Sequence, residues 1–234
     1  LRTWRRAGLA AGCVALTPLL MKKFLRPLLL VVALIGGFAP NVARAAAVSL
    51  FDGKTLAGWT YDAKTWRVED GLITGGSLTE RIPRNEFIAT TQSFHNFELH
   101  VKIKLTGTEG FVNSGVQIRS VRVPGSSEMS GYQVDYGKGW YGKLYDESRR
   151  KRMLAKPTPE VLKQAERPGE WNDYRIRAEG RRIRLWLNGV QTVDYTEPEA
   201  DLPAAGVIAL QIHGNAVSEV RFKDIVIDEL PAGD

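Results

Sequence analysis

Four short stretches of this 234-residue chain carry polar side chains at a spacing of two: GVQIR at 115–119, YQVDY at 132–136, KLY at 143–145 and LQIH at 210–213. Successive side chains of an extended strand point to opposite faces. Gln117 and Arg119 therefore oppose Val116 and Ile118, and Gln133 and Asp135 oppose Val134. Likewise Lys143 and Tyr145 oppose Leu144, and Gln211 and His213 oppose Leu210 and Ile212. If these strands share one sheet, a single face gathers amides, a carboxyl group, cations, a phenol and an imidazole. Such a surface suits a polyhydroxylated ligand, with Trp140 and Tyr141 able to stack on a pyranose face. A plainly solvated sheet face shows the same alternation and is the competing reading.

His213 is the best single candidate for proton transfer, because imidazole ordinarily titrates near neutrality. Asp135 is a second acid or base, a metal ligand, or simply a partner for Arg119. Arg119 suits a carboxylate or a developing oxyanion, or only a surface ion pair. His95, in a turn, and His100, on the polar side of its strand, are weaker candidates. Trp59, Trp66, Trp171 and Trp186 read as core and edge packing.

The elements that must carry these residues are strands. Residues 97–105 (FELHVKIKL) alternate strictly, one side apolar and one side polar. The same period runs through 174–178 and 183–187. Asp70-Gly71 predicts a tight hairpin between 66–69 and 72–74, and Asn188-Gly189 another between 183–187 and 190–195, because both pairs tolerate positive φ. Residues 206–213 and 220–227 complete the series. One short helix is predicted over 158–166, with Thr158 as its cap and Pro159 at the first helical position. Many strands, glycine-rich turns and one minor helix predict an all-β fold of two packed antiparallel sheets. No internal repeat, low-complexity tract or extended linker interrupts residues 46–234.

The first 45 residues read differently. From Met21 a charged stretch (Lys22, Lys23, Arg26) precedes an apolar run at 28–37 and a small-x-small site, Ala43-Arg44-Ala45. This is the pattern of an export signal, too short to span a bilayer comfortably. The expectation is a start at Met21, cleavage after Ala45, one domain over 46–234, and a location in the periplasm or outside the cell. A first signal around Arg5-Arg6, with Cys13 as a lipid attachment site, is the lesser alternative. Seven basic residues and no acidic one lie before residue 46, which turns the formal charge from +6 to −1 over 46–234. A nucleic-acid binder should keep its positive excess, so that class is excluded. The single cysteine is Cys13, which removes a thiol nucleophile, a cysteine zinc site and disulfides from residues 46–234. No transmembrane segment is expected there.

Several motifs resemble one family when taken in order. They are LFDGKTLAGW at 50–59, NSGVQIR at 113–119, GYQVDY at 131–136, GKLYD at 142–146, GEWNDY at 169–174, LNG at 187–189, GVIALQIHG at 206–214 and VRFKDI at 220–225. Together they are similar to the 3-keto-disaccharide hydrolase domain family over nearly all of 46–234. The resemblance implies a concanavalin A-like jelly-roll sandwich. It also implies activity on, or binding of, sugars oxidised to a ketone at carbon 3. Asn113, Gln117, Arg119, Gln133, Trp140, Lys143, Tyr145 and Gln211 make up the candidate substrate-binding set, with His213 and Asp135 the candidate catalytic residues. Gln133 departs from the glutamate that the family often carries there, and an amide is no general base.

The chemistry that the resemblance implies is elimination. A ketone at carbon 3 acidifies the hydrogen on carbon 2, which His213 or Asp135 could remove. Arg119, Lys143 or Gln211, or a bound divalent metal ion, would stabilise the enolate oxygen; no other cofactor is implied. The glycosidic oxygen then leaves and water adds back. A conventional glycosidase instead needs two carboxyl groups about 5–5.5 or 6.5–9.5 Å apart, and beside Asp135 only Asp146 offers itself. Two other classes compete: a carbohydrate-binding module of the cell envelope without turnover, and a structural sandwich that binds no glycan. No phosphate loop, HExxH, EF-hand loop or Ser-His-Asp signature is present.

Overall fold

A computed structural model describes residues 46–231 of the chain. The expected presequence, with Met21, Cys13 and the cleavage site after Ala45, lies outside the described residues. In chain order the strands are β1 (Val48–Ser49), β2 (Trp59–Thr60), β3 (Trp66–Glu69), β4 (Leu72–Ile82), β5 (Glu86–Phe94), β6 (Phe97–Gly110), β7 (Asn113–Arg122), β8 (Met129–Gly137), β9 (Leu144–Glu147) and β10 (Arg152–Ala155). Helix α1 (Pro159–Ala165) follows, then β11 (Asn172–Glu179), β12 (Arg182–Leu187), β13 (Val190–Thr196), β14 (Gly206–Ile212) and β15 (Ala216–Glu229).

The strands form two antiparallel sheets. One has eight strands, ordered β13-β12-β11-β6-β15-β4-β3 with β1 against β15; the other has seven, ordered β10-β9-β8-β7-β14-β5-β2. Their apolar faces meet as the alternation requires. On β6 the residues Phe97, Leu99, Val101 and Ile103 are fully buried, and on the opposing sheet so are Val116, Ile118, Val134, Leu144, Leu210 and Ile212. Each such side chain contributes about 1.5–3 kcal/mol by leaving water. The predicted hairpins form at positive φ, with Asp70 at 53° and Asn188 at 51°. Helix α1 is capped as expected: the Thr158 side chain accepts from the Val161 amide, and the chain turns extended at Glu166.

Buried phenols tie the two layers together at the strand that matters most. The Tyr174 hydroxyl, on β11, donates to the Asp135 carbonyl at 2.6 Å and accepts from the Gly142 amide at 2.8 Å. Asn172 Nδ2 donates to the Tyr136 hydroxyl at 2.6 Å. The backbone of β8 and the turn leading into β9 are therefore held from the far side of the core. No helix among the described residues is long and apolar enough to cross a membrane.

Candidate functional site

Strands β9, β8, β7 and β14 lie side by side and bring the polar stretches onto the outer face of the seven-stranded sheet. Register pairs Gln211 with Gly115 and Gly115 with Asp135. The next row on that face runs Ala209, Gln117, Gln133, Tyr145. This face is not a solvated one: Gln117 and Gln211 are 0% exposed, Gln133 2% and Asp135 3%. The competing reading of an open sheet surface fails at these positions.

Burial forces the amides into a directed chain. Ser120 Oγ donates to Gln117 Oε1 at 2.5 Å, and Gln117 Nε2 donates to Gln133 Oε1 at 2.8 Å. Gln133 Nε2 then donates to Asp135 Oδ1 at 2.9 Å and to Gln211 Oε1 at 3.1 Å. The last contact crosses above Gly115, where a Cβ would lie 3.1 Å from Gln133 Cγ and 2.9 Å from the Val134 carbonyl. Only glycine leaves that space. Three buried atoms around this network have no partner among the described residues: Asn113 Nδ2, Asp135 Oδ2 and Gln211 Nε2. Leaving such a group unpaired costs about 1–3 kcal/mol, which a ligand can recover.

A pocket of about 230 Å³ opens over these groups, bounded by Asn85, Phe111, Asn113, Gln133, Asp135, Trp140, Tyr145, Glu147 and His213. His213 Nδ1 lies 2.8 Å from the Gly214 carbonyl oxygen. A carbonyl only accepts, so Nδ1 carries the proton and Nε2 of the neutral ring keeps a lone pair. Phe111 meets His213 edge-on at 4.7 Å and Trp140 at 6.1 Å, and Trp140 meets Tyr145 at 6.1 Å. These rings make a continuous aromatic wall. Lys143 Nζ sits 5.0 Å from the Trp140 ring centroid, at the rim beyond the pocket lining.

Burial dominates the electrostatics. It pushes Asp135 up to about 8, outweighing the Gln133 hydrogen bond; the Glu147 charge adds to the rise and Lys143 opposes it. Because Oδ1 accepts from Gln133, the proton of neutral Asp135 belongs on the unpartnered Oδ2. Burial also raises Glu147, helped by Glu128, and raises Tyr145.

Not every expected residue arrives. Arg119 is a correction: it stands at φ 48° in a bulge between Ile118 and Val121, which breaks the alternation and turns its side chain away from the amide row. Its guanidinium donates instead to the His95 carbonyl, the Gly180 carbonyl and Asn96 Oδ1. Tyr141 is buried against Tyr136 at 4.9 Å, so it cannot stack on a ligand. Asp146 points into the protein, fully buried and paired with Arg149 and Arg150. Gln117 and Gln211 stay beneath the lining residues and act on the pocket through Gln133.

Four residues were missed. Glu147 continues the alternation of Lys143 and Tyr145, so the same parity could have found it. Asn85, Phe111 and Glu128 sit on turns and strand ends, where no periodic signal exists. Glu128 reaches the site by accepting from Asn85 Nδ2 at 3.1 Å. Among the described residues no three His, Cys, Asp or Glu side chains are placed to hold a metal ion.

Comparison with known proteins agrees with this architecture. A candidate glycosyl hydrolase from Parabacteroides distasonis superposes with a TM-score of 0.58 at 21% identity, over 79% of this chain and 94% of that one. A second from the same organism gives 0.51 at 25%, over 79% and 84%. The carbohydrate-binding module CBM66 from Bacillus subtilis gives 0.56 at 18%, over 74% and 96%. No curated protein matches the chain. The family model of the 3-keto-alpha-glucoside-1,2-lyase-like domain matches residues 46–228, and the chain belongs to that family.

Proposed function

We propose that the protein binds a glycoside oxidised to a ketone at carbon 3 and cleaves it by elimination across carbons 1 and 2. The observation that carries this reading is that one pocket holds the buried Asp135 carboxyl, with Oδ2 unpartnered, and His213, whose Nδ1 is engaged by the Gly214 carbonyl. The ketone oxygen accepts from Asp135 Oδ2 and from Asn113 Nδ2, which fills two of the unpartnered positions. His213 Nε2 takes the proton from carbon 2, and the electron pair moves onto the ketone oxygen as an enolate that the two donors stabilise. The pair then returns to form a double bond between carbons 1 and 2 as the bond from carbon 1 to the glycosidic oxygen breaks. Glu147, whose affinity for a proton burial also raises, protonates the leaving oxygen. Addition of water to the double bond gives net hydrolysis.

The family description supports this chemistry, and so do the two pocket carboxyl groups. A conventional pair needs one carboxyl kept ionised, whereas burial favours the protonated form of both Asp135 and Glu147. The export pattern before residue 46 supports action outside the cytoplasm. A second reading is sugar binding without turnover, favoured by the aromatic wall of Phe111, Trp140 and Tyr145.

The test is incubation with a 3-keto-disaccharide, following free sugar and the unsaturated keto product. His213→Ala should cut the rate by about 10²–10⁴ while leaving substrate binding in place. Saturable binding with no product from the unmodified protein would leave only the binding module.

A further inference from the structure

On the outer face of the eight-stranded sheet, four cations are arranged against stability. Strands β6 and β15 set Lys104 directly opposite Arg221 and Lys102 directly opposite Lys223. Alternation with the buried Ile103 and Phe222 turns all four outward. Like charges opposed across an antiparallel pair are destabilising, because their Cβ atoms lie only about 4.5–5.5 Å apart. Bulk composition does not explain this square, since residues 46–234 carry a formal charge of −1.

Two of the four cations are neutralised from within the protein. Asp224, at φ 50° in a bulge between Lys223 and Val226, accepts from Lys102 Nζ at 2.8 Å. Arg221 donates through Nε to Glu219 Oε1 at 2.8 Å and has Asp70 Oδ2 at 3.6 Å. Lys104 and Lys223, on the diagonal of the square, meet no carboxylate among the described residues.

A cavity of about 250 Å³ opens at this place, on the other sheet from the candidate site. Lys104, Arg221 and Glu219 lie on its polar side, and Trp171, Leu72 and Leu78 form an apolar wall. Trp171, expected as edge packing, has the Lys223 ammonium 4.5 Å from its ring centroid. That contact holds the indole beside the second unneutralised cation. Glu219 is largely buried; its Oε2 accepts from Arg67 at 2.7 Å and its Oε1 from Arg221. Each oxygen keeps a further lone pair, so this carboxylate can still accept a hydroxyl.

The combination selects one ligand chemistry. An indole beside two leucines suits the apolar face of a pyranose, and Glu219 suits its hydroxyls. Lys104 and Lys223 call for an anion on the same ring. A nucleic acid fits poorly, because the cavity has room for about one ring and the domain has no positive excess to attract an extended polyanion. We infer that this cavity binds a sugar unit carrying a carboxylate, a uronate, at a site separate from the candidate site and independent of the proposed reaction. The carboxylate sits on Lys104 in the field of Lys223, the ring rests on Trp171, and a hydroxyl donates to Glu219.

The experiment titrates the full chain with methyl α-glucuronide and methyl α-glucoside, which differ only in a carboxylate for a hydroxymethyl group, by ligand-observed NMR. The glucuronide should bind about tenfold more tightly at low salt, and the preference should shrink as salt is added. Lys104→Gln should reduce the preference to about twofold. It removes one like-charge pair, so its urea midpoint should not fall. Trp171→Leu, which keeps apolar bulk, should weaken the glucuronide, whereas Trp140→Ala in the candidate site should leave it unchanged. Acetate, an anion without a ring, should bind far more weakly. Equal affinity for the two glycosides, a preference that survives Lys104→Gln, or a glucuronide that responds to Trp140→Ala and not to Trp171→Leu would overturn the site. Acetate binding as tightly as the glucuronide would overturn the sugar, leaving an anion site alone. Turnover of a 3-keto-disaccharide by Lys104→Gln should match the unmodified protein, so loss of the uronate site and loss of the proposed reaction are read separately.

Discussion

Gln133 holds Asp135 through a single amide: its Nε2 donates to Asp135 Oδ1 at 2.9 Å while donating its other proton to Gln211 Oε1 at 3.1 Å. Both Nε2 protons are committed to acceptors, and its oxygen accepts from Gln117. An amide is the side chain of this size that fits this position, since it must donate twice and accept once. Gln133 is thus a positioning residue for the acid.

Gln133→Glu should therefore cost more than a lost hydrogen bond. A carboxylate there would meet Asp135 Oδ1 and Gln211 Oε1, two acceptors, in a fully buried setting. We expect a loss of about 1–3 kcal/mol in urea denaturation. A further upward displacement of the alkaline limb attributed to Asp135 is also expected, because a like charge disfavours ionisation. An unchanged pH profile would mean that Gln133 does not set the state of Asp135.

Asp135 makes stability depend on pH in a direction opposite to most carboxylates. Its folded value of about 8 lies above the ordinary 3.8, so between the two the folded chain binds more protons than the unfolded one. Stability conferred by neutral Asp135 is present below the unfolded value and is lost as pH rises through about 8. Asp135→Asn removes this dependence. Urea midpoints at pH 5 and pH 8.5 should fall less in the variant, by on the order of a few kcal/mol in ΔG. The same ionisation should end activity above pH 8 in the unmodified protein. Midpoints that track each other across the range would show that Asp135 ionises normally.

Much of this arrangement was legible in the sequence because strand parity survives as long as register does. Gln133, Asp135 and Tyr145 pair across β7, β8 and β9 without interruption, so alternation alone put them on one face. The two hairpin dipeptides fixed their own turns. Parity failed at Arg119, where one left-handed residue shifts the ladder, and nothing in GVQIR announces a bulge. It also gave no warning that the polar face would be covered. That depends on residues distant in sequence, such as Asn85, Phe111 and Trp140, gathering around it. Asn85, Phe111 and Glu128 belong to this class.

The bulge at Arg119 makes a separate prediction. Its guanidinium satisfies two carbonyls and Asn96 Oδ1 at the junction of the β5–β6 and β11–β12 turns. Arg119→Ala should cost about 1–3 kcal/mol, because the His95 and Gly180 carbonyls lose this donor and Asn96 Oδ1 keeps only the Gly180 amide. Below the unfolding transition, kcat/KM for a 3-keto-disaccharide should be nearly unchanged. A large loss of kcat/KM with normal stability would return Arg119 to the active centre.

Trp140 carries the last prediction, because it divides catalysis from recognition. It stands at the middle of the aromatic wall, edge-on to Phe111 and to Tyr145, each at 6.1 Å, with the Lys143 ammonium over its ring. It donates no proton to the reacting atoms, so its contribution is ring stacking and exclusion of water. Such contact lowers the energy of bound substrate and transition state alike. Trp140→Ala should therefore raise KM about tenfold with kcat nearly constant, and Trp140→Phe should restore most of the loss. If kcat falls in proportion while KM stays fixed, the ring instead sets the geometry of His213 through Phe111. The shape of the wall, and not its area, would then be what the chemistry requires.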